Sequence, residues 1–420
     1  MEEFRELLDD CVHCGFCLPT CPTYVLWGEE MDSPRGRIHL MDQLERGGPL
    51  TASTIEHFDR CLGCMACVTA CPSGVRYDRL IEMTRARVED DHPRSRGERL
   101  LREAIFAVFP YPRRLRAMRG PLRAYRRLNL NLTPLLERLS PTLAAMERLT
   151  PPPARHVRLP ERVPARGERR AVVGMLTGCV QREFFPGVNA ATARVLAMEG
   201  CDVVLPKGQG CCGALSLHTG RDEEARAFAR ATIETFADVD VVVVNSAGCG
   251  SAMKDYGAVF AGDPEWAERA AAFSAKTRDL AEFLADLGPR ATRHPLELSV
   301  AYHDACHLAH AQGVRAQPRR LLADIPGLEV REVADPEICC GSAGVYNLLR
   351  PEAAGELGDR KARNVAATGA DLLVAANPGC TLQITTALRR QSEDLPVAHT
   401  AEVLDASIRG IGKESFLSRR

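Results

Sequence analysis

Two hydrophobic periodicities divide the chain into a helical N-terminal part and a C-terminal part of alternating strands and helices. Between residues 38 and 44, apolar side chains recur at helical spacing. Beyond residue 170, short apolar runs such as Val239–Val244 are separated by longer amphipathic stretches such as residues 222–236. Because strands that alternate with helices favour parallel sheets, we expect a mixed α/β fold that follows a mostly helical N-terminal domain.

The α/β part predicts two copies of one unit. The strands are expected at residues 171–176, 202–205, 239–244, 298–302, 328–333 and 372–375, and the helices at residues 189–199, 222–236, 319–323 and 351–366. Cysteines follow the strands in both copies, and they recur after shifts of 127, 128 and 131 residues. A near-constant shift indicates internal duplication. The carboxyl ends of parallel strands are where such sheets present functional groups.

Cysteine usage points to metal chemistry, because 17 cysteines are too many for an ordinary core. Residues 11–22 and residues 61–72 each carry the run C-x₂-C-x₂-C-x₃-C-P. This run is typical of proteins with two [4Fe–4S] clusters, in which the fourth cysteine binds the other cluster. The predicted ligands are Cys11, Cys14, Cys17 and Cys71 for one cluster, and Cys61, Cys64, Cys67 and Cys21 for the other.

Zinc sites and disulfides are the competing interpretations of these two runs. Paired C-x-x-C units suffice for zinc, but neither alternative explains a third cysteine followed by Cys-Pro in each run. Two clusters in one small domain exchange single electrons and do little bond chemistry themselves. We therefore predict an electron carrier with no catalytic residue of its own.

Each duplicated unit offers four further cysteines: one leading, an adjacent pair before glycine, and one trailing. They are Cys179, Cys211, Cys212 and Cys249 in the first unit, and Cys306, Cys339, Cys340 and Cys380 in the second. Four thiolates could complete a third and a fourth metal site. An iron–sulfur centre, zinc and a metal-free redox-active thiol site all remain open. The predicted domains are residues 1–95 (two-cluster), 96–170 (arginine-rich helices and a proline-rich linker around Pro151–Pro153), 171–290 and 296–420 (cysteine-rich units).

Other chemistry-bearing residues have simpler interpretations. Cys201 is expected to be a small buried apolar side chain. His303, His307 and His310 could bind metal or relay protons, or be ordinary polar residues beside Cys306. Residues 208–213 match G-x-G-x-x-G after a strand, but the second unit repeats the cysteines without the glycines. Flavin or nicotinamide would therefore have to be bound by a partner.

Charge and hydropathy limit the classes of partner that the chain can bind. The net charge of −1 gives no bulk field for nucleic acid, and no apolar run approaches the roughly 20 residues that cross a bilayer. The acidic N-terminus lacks the features of a secretory signal, which predicts a cytoplasmic protein. Residues 85–170 hold 21 arginines against nine acidic residues. This segment could contact an acidic partner or an anionic membrane surface from the cytoplasmic side, or be a solvated helical face.

The adjacent cysteine pair before glycine resembles the cysteine-rich CCG domain of heterodisulfide reductase subunits. That family often ends the domain with C-x-x-C, whereas the last cysteine is missing at Ala252 and Gln383. Over nearly its full length the chain resembles the iron–sulfur subunits of bacterial glycolate oxidase. This likeness rests on residues 11–17, 21–24, 32–38, 71–77, 189–196 and 339–344.

The second resemblance implies a complex in which subunits that contain FAD oxidise glycolate to glyoxylate. The present chain would then pass the electrons on singly, toward an acceptor such as quinone, and would not oxidise substrate alone. Two alternatives remain open at this stage. One is the iron–sulfur subunit of a lactate or glycerol-3-phosphate dehydrogenase, and the other is a catalytic disulfide reductase similar to heterodisulfide reductase.

Overall fold

The computed structural model describes residues 2–92, 94–128, 132–151, 154 and 157–418. It consists of a helical N-terminal domain, a helical connecting segment and two α/β units, as the periodicity predicts. The N-terminal helices are α1 (Glu2–Asp9), α2 (Pro22–Trp27), α3 (Pro34–Glu45), α4 (Ala52–Arg60), α5 (Ala66–Ala70) and α6 (Tyr77–Asp91). Their core includes Met41, Phe58, Leu80 and Ile81, each at most 1% exposed.

The connecting segment forms four helices and then joins the first sheet. The helices are α7 (Arg96–Val108), α8 (Pro112–Arg127), α9 (Thr133–Leu139) and α10 (Pro141–Arg148). Pro152 and Pro153 of the predicted proline-rich linker lie outside the described residues. Between Pro160 and Pro164, strand β1 (Arg162–Val163) pairs antiparallel with the third strand. The sequence pattern did not predict this strand, because two residues are too few to show a period.

The first unit is a five-stranded sheet in the order β1-β3-β2-β4-β5. Its parallel strands are β2 (Ala171–Met175), β3 (Cys201–Val204), β4 (Val241–Val244) and β5 (Thr277–Asp279). The helices are α11 (Val180–Phe184), α12 (Pro186–Met198), α13 (Ala214–Leu217), α14 (Asp222–Thr235), α15 (Ala247–Lys254), α16 (Tyr256–Val259), α17 (Ala267–Lys276) and α18 (Leu280–Leu287). The three predicted strands and two predicted helices are confirmed within a few residues at each end.

The second unit repeats this arrangement with four parallel strands in the order β7-β6-β8-β9. The strands are β6 (Leu298–His303), β7 (Leu328–Glu332), β8 (Leu372–Ala375) and β9 (Val397–Ala398). The helices are α19 (Cys306–Ala309), α20 (Ala316–Ala323), α21 (Tyr346–Leu349), α22 (Pro351–Ala366), α23 (Pro378–Arg390), α24 (Thr400–Ile408) and α25 (Lys413–Leu417). In both units the first parallel strand, β2 or β6, lies between the next two parallel strands, so the duplication extends to topology.

The two units share one hydrophobic core. Val173 and Leu196 of the first unit belong to the same buried cluster as Val300 and Leu404 of the second. Arg194 on α12 donates to both carboxylate oxygens of Asp405 on α24, at 2.8 and 2.7 Å. Bidentate pairs of this kind fix orientation, so the two units have a defined relative position.

The N-terminal domain packs directly against the second unit. Leu62 and Cys64 lie in one buried cluster with Ile338 and Cys339. Arg350 donates to the carboxylate of Glu56 across the same contact, at 3.2 and 3.3 Å. Within the described residues, no helix is long and apolar enough to cross a membrane.

Candidate metal centres

The two N-terminal cysteine loops have the same backbone shape. The third and fifth residues of each loop have positive φ: 52° at His13 and 86° at Gly15 in the first, 62° at Gly63 and 63° at Met65 in the second. Residues other than glycine hold this conformation only at a cost, which structures retain where function requires it. Backbone that alternates between right- and left-handed conformations turns successive N–H groups toward one anion. The loops therefore suit an anionic centre that contacts several sulfurs.

Each loop collects the cysteine that follows the opposite loop. The thiol of Cys11 interacts electrostatically with Cys71 and Cys14, and Cys71 also lines the same small concavity as Cys17. The thiol of Cys67 interacts with Cys64, Cys21 and Cys61. Cys17 also interacts with Cys21, so the two predicted crossed sets lie next to each other, and each offers the soft sulfur donors that [4Fe–4S] clusters take.

The two sets differ in exposure. Cys14 is exposed, Cys11, Cys17 and Cys71 are intermediate, and all four members of the other set are buried. Val12 and Phe16 project from the first loop with 70% and 66% of their surface exposed. Large apolar side chains with such exposure around a redox loop are typical of a contact surface for another protein. The first set thus lies at the surface and the second set lies in the interior.

Positive charge and hydrogen bonds surround the buried set. Burial opposes ionisation of Cys61, but the charges of Arg37 and Arg85 outweigh it and lower the pKa of this thiol. Gly63 N–H donates to Cys61 Sγ at 3.4 Å, and Tyr77 O–H donates to it at 3.7 Å. These contacts stabilise a thiolate and would tune the potential of a bound cluster.

The segment 32–38 supports both loops through a buried charge network. The Asp32 carboxylate accepts from Arg37 at 3.4 Å and from Arg60 at 2.8 Å, and it contacts His57 Nδ1 at 2.9 Å. Asp32 is 0% exposed and Arg37 is 1% exposed. Arg35 donates to the backbone oxygen of His13 in the first loop at 3.1 Å. The sequence singled out residues 32–38 only through a family resemblance. In the structure this segment holds the first cysteine loop and supplies the buried charge network.

In the first α/β unit, the four predicted cysteines meet at the carboxyl ends of β2, β3 and β4. Cys179 Sγ lies 3.8 Å from Cys211 Sγ, and Cys212 makes hydrogen bonds with Cys211 and Cys249. The hydrogen bond from Cys211, together with that from Cys249, holds the pKa of Cys212 well below its usual range. Gly213 N–H also donates to Cys211 Sγ at 3.3 Å. The four sulfurs fit one metal centre and leave one thiol ready to ionise.

The second unit gathers its four cysteines in the same way. Cys306 Sγ lies 3.9 Å from Cys339 Sγ, and Cys340 makes hydrogen bonds with Cys339 and Cys380. His303, at the end of β6, adds a ring nitrogen, and the donor atoms of His303, Cys340 and Cys380 lie within 4.8 Å of one another. This set fits a metal centre with sulfur and nitrogen ligands.

The glycine after each cysteine pair is required by the backbone. Gly213 has a φ of 80°, and Gly341 has a φ of 89°. A Cβ atom on Gly213 would lie 2.9 Å from the backbone oxygen of Ala225, and one on Gly341 would lie 2.5 Å from that of Ala354. Only glycine allows the cysteine loop to approach the following helix so closely.

The interior N-terminal set lies beside the second α/β set. Cys64 interacts electrostatically with Cys306 and with Cys339. Burial raises the pKa of Cys64 well above its usual value when no metal is bound. The structure thus makes the buried N-terminal set a neighbour both of the exposed N-terminal set and of the second α/β set. Sequence spacing could not reveal this arrangement, because residues 64 and 306 are brought together only by domain packing.

The remaining predicted residues have separate roles. Cys201 is fully buried in the shared core, in agreement with its interpretation as an apolar side chain. His310 Nδ1 contacts Thr69 Oγ1 at 2.7 Å, and so joins the N-terminal domain to the second unit. In the G-x-G-x-x-G segment, the Gln209 side chain accepts from Thr177 N–H at 2.8 Å. This contact braces the first cysteine loop. Sequence analysis missed His218, which contacts Glu82 at 3.1 Å and carries no motif.

Comparison with known proteins agrees with this architecture. Family models match as a 4Fe-4S dicluster domain at residues 7–75, as the linker region of the glycolate oxidase iron-sulfur subunit at 97–150, and as a cysteine-rich domain at 173–254 and 300–385. A solved structure of a hypothetical protein from Helicobacter pylori has a TM-score of 0.59 at 8% identity. It covers 100% of this chain and 74% of its own, and it supports the fold alone.

Curated relatives extend over almost the whole chain. The probable glycolate oxidase iron-sulfur subunit of Bacillus subtilis is 37% identical and covers 96% of this chain and 95% of its own. The Escherichia coli glycolate oxidase iron-sulfur subunit is also 37% identical, over 97% and 95%. Lactate utilization protein A of Shouchella clausii is 35% identical over 56% of this chain and 98% of its own.

Fold and cysteine pattern together define an iron–sulfur electron-transfer subunit of an oxidoreductase, in which an N-terminal domain of the 4Fe-4S dicluster type precedes two cysteine-rich repeats. Within that class, the chain belongs to the family of glycolate oxidase iron-sulfur subunits. This agrees with the resemblance inferred from the sequence motifs.

Proposed function

We propose that the two crossed cysteine sets hold two [4Fe–4S] clusters. The set Cys11, Cys14, Cys17 and Cys71 would bind the outer cluster, and the set Cys61, Cys64, Cys67 and Cys21 the inner one. The support is the matching left-handed loop geometry at residues 13, 15, 63 and 65. When bound, such clusters accept and release single electrons.

Cysteine-to-serine variants test these ligands. Anaerobically purified protein should lose about four irons in Cys14→Ser and about four in Cys64→Ser, because each removes a ligand of one cluster. Cys201→Ser is the matched control, since Cys201 is a buried cysteine outside every set. Full iron content in Cys64→Ser, or colourless wild-type protein that contains zinc, would contradict the proposal.

We infer that each cysteine-rich unit also holds a metal centre. The support is the convergence of four thiols in each unit, with Sγ–Sγ distances of 3.8 and 3.9 Å at the leading cysteines. Either an iron–sulfur centre or zinc suits these ligands. Iron and sulfide analysis distinguishes the two: about twelve or more irons place clusters in the repeats, whereas about eight irons with zinc place zinc there. About eight irons without zinc would leave metal-free thiol sites.

We propose that the protein carries electrons within a glycolate oxidase complex, from a partner that contains FAD to an acceptor such as quinone. The single observation that carries the direction of transfer is the exposure of the outer set beside Val12 and Phe16, against burial of the inner set. Electrons would enter where another protein can reach the outer cluster and leave through the interior.

Replacing the apolar side chain at the outer loop tests the entry point. Phe16→Ser should slow reduction of the clusters by glycolate and the flavoprotein partner. It removes an apolar side chain that is 66% exposed and so is available to contact the partner. Met198→Ser is the control, since Met198 is a 41% exposed apolar residue on α12 of the first unit. Reduction by dithionite should be equal in both variants. Equal rates with the partner would place entry elsewhere.

The substrate of the complex is tested by reconstitution. With purified flavoprotein subunits of a glycolate oxidase, the wild-type chain should be reduced by glycolate and not by lactate or glycerol 3-phosphate. Reduction by lactate alone would favour the lactate-utilisation alternative, which the similarity to a protein named lactate utilization protein A supports. Glycolate oxidation by this chain without a flavoprotein would contradict the division of roles.

We also propose peripheral contact with the membrane through the connecting segment. Among the described residues 96–148, seven large apolar side chains are at least 38% exposed and lie among arginines: Leu100, Met118, Leu128, Leu132, Leu135, Leu139 and Leu143. Basic helices with exposed leucines bind anionic membrane surfaces. Anionic lipid vesicles should carry the protein to the top of a density gradient, and Leu135→Ser with Leu139→Ser should abolish this flotation. Flotation that is unchanged in the double variant would contradict the proposal.

A further inference from the structure

A cavity of about 410 Å³ lies where the four parts of the chain meet. Its volume falls within the range of pockets that bind small molecules. The N-terminal domain contributes Cys61 and Leu62, the connecting segment Leu101, the first unit Leu215 and His218, and the second unit His307, Tyr346 and Leu349. Cys61 belongs to the inner cluster set, and His307 directly follows Cys306 of the second repeat. The cavity therefore lies beside two of the candidate metal centres.

Three side chains that line this cavity each carry a buried polar atom with no protein partner among the described residues. These atoms are His218 Nε2, His307 Nδ1 and the hydroxyl of Tyr346. The two imidazoles are in edge contact, with ring centroids 4.7 Å apart. His307 Nε2 lies 2.8 Å from the backbone oxygen of Gly63 and must donate to it, so His307 Nδ1 is an acceptor. An unpartnered buried polar group is costly, so three on one cavity indicate a polar ligand.

Most charged side chains of the wall are paired. Arg94 pairs with Asp59 at 2.9 Å and with Glu98 at 2.7 Å, and Arg350 donates to Glu56. The Arg85 guanidinium donates to the backbone oxygens of His218 and Cys61, which leave its charge uncompensated but engage both of its Nη groups. The free groups are neutral hydrogen-bonding atoms within a partly apolar wall, which suits an uncharged ring with carbonyl oxygens.

We propose that this cavity is the site at which the acceptor is reduced, and that it binds a quinone headgroup. Tyr346 and His218 donate to the carbonyl oxygens, and His307 Nδ1 accepts from the hydroxyl that forms. Cys61 is the one cysteine in the wall, so no pair of thiols faces the ligand for exchange with a disulfide. This inference rests on the proposed electron-transfer function and adds its exit site.

The reduction of quinone to quinol balances in electrons and protons. Quinone takes two electrons, one at a time, from reduced iron–sulfur clusters, which are oxidised in return, and it takes two protons to become quinol. Burial raises the pKa of Glu82 to about 7, so this carboxyl can hold a proton. Glu82 lies 3.1 Å from His218 Nδ1, and the His218 side chain lines the cavity. Each proton passes from Glu82 through His218 and is replaced from solvent.

Charged groups from four elements surround Glu82 and set this proton supply. They are Arg76, Asp78, Arg79 and Arg85 around α6, Asp255 after α15, His218 after α13 and Asp222 at the start of α14. Arg79 and Arg85 favour the ionised carboxylate, whereas Asp78 and Asp255 oppose it. We expect the rate of quinone reduction to fall as the pH rises through about 7, since Glu82 then loses its proton.

Reoxidation of the reduced holoprotein tests the site. The whole chain, reduced anaerobically with dithionite and freed of excess reductant, is mixed with a water-soluble short-chain ubiquinone, and cluster absorbance is followed. Tyr346→Phe should raise the quinone concentration for half-maximal rate roughly fivefold, since one hydrogen bond is lost. Glu82→Gln should flatten the pH profile. Tyr111→Phe is the control, because Tyr111 packs on Phe228 outside the cavity.

Ferricyanide, which needs no hydrogen-bonding pocket, distinguishes a pocket defect from a damaged cluster. Ferricyanide should reoxidise Tyr346→Phe and wild type at equal rates. Equal quinone kinetics in both proteins would overturn the proposal, and so would faster reoxidation by an organic disulfide than by quinone. Failure of the electron-transfer function itself would appear separately, as clusters that glycolate and the flavoprotein cannot reduce in wild type.

A second inference concerns the metal centre of the second repeat and rests on a different residue. His303 is 2% exposed, and its Nε2 atom has no partner among the described residues. The 127-residue shift that relates Cys179 to Cys306 places Leu176 in the first unit opposite His303. We infer that His303 is a nitrogen ligand of the second centre, whereas the first centre has sulfur ligands only.

Metal content and isotope-sensitive spectra test this ligand. In protein labelled with ¹⁵N-histidine, pulsed electron paramagnetic resonance should detect nitrogen coupled to a cluster, and His303→Leu should remove it. If the centre is zinc, His303→Leu should instead lower the zinc content. Leu176→Phe in the first unit is the control and should leave the coupling unchanged. Unaltered spectra and metal content in His303→Leu would overturn the inference.

Discussion

We expect the buried charge network at Asp32 to stabilise the N-terminal domain. Asn in place of Asp32 keeps the shape of the side chain and removes its negative charge. Arg37, only 1% exposed, then loses the carboxylate it contacts at 3.4 Å, and Arg60 loses a 2.8 Å contact. Breaking a buried pair by removing one partner costs about 3–5 kcal/mol, because the remaining charge stays buried without compensation.

This cost should appear as faster release of iron. Each 1.36 kcal/mol changes a population tenfold, so 3 kcal/mol raises the open fraction of the N-terminal domain on the order of 100-fold. We expect anaerobic transfer of iron from Asp32→Asn to a coloured chelator to accelerate by a similar factor. The chelator must be present in excess, so that opening of the domain limits the rate.

A surface ion pair in the same domain supplies the control. Arg46 and Asp42 are also joined at 2.9 Å, but their side chains are 78% and 36% exposed. Asp42→Asn should therefore change iron release by less than about fivefold, because exposed pairs contribute about 0–1 kcal/mol. If Asp32→Asn released iron as slowly as Asp42→Asn, the reasoning from burial would be refuted.

Two further predictions concern stability, measured by anaerobic thermal unfolding of the whole protein. Gly341→Ala should destabilise it by about 2–4 kcal/mol, from left-handed strain and the close Ala354 oxygen, whereas Gly355→Ala in open space on α22 should be neutral or stabilising. Burial raises the pKa of Asp279 to about 6, so its carboxyl opposes folding increasingly between about pH 4 and pH 6. Asp279→Asn should therefore gain about 2–3 kcal/mol at pH 7.5 and less at pH 5.5; an equal gain at both would contradict it.

Much of the fold could be predicted because local sequence patterns indicate most of its longer strands and helices. The strand Leu372–Ala375 and the helix Pro351–Ala366 have the predicted bounds, since the buried strand is a continuous apolar run and the helix starts at a proline. Strands β1, β5 and β9 were missed, because two or three residues cannot show a period. These strands form only because a longer neighbour offers its open edge.

By itself the sequence showed the duplication and predicted the ligand chemistry. The spacing of the cysteines within residues 11–22 and 61–72 is set by the covalent chain, so it limits which metal centre each short loop can bind. Tertiary structure alone decided what each centre adjoins. Cys64 meets Cys306, His218 meets His307, and Glu82 meets His218 because separate domains pack together. The physical reason is that domain packing depends on the total surface that the domains bury against each other. The residues that happen to meet in such an interface carry no periodic pattern in the sequence.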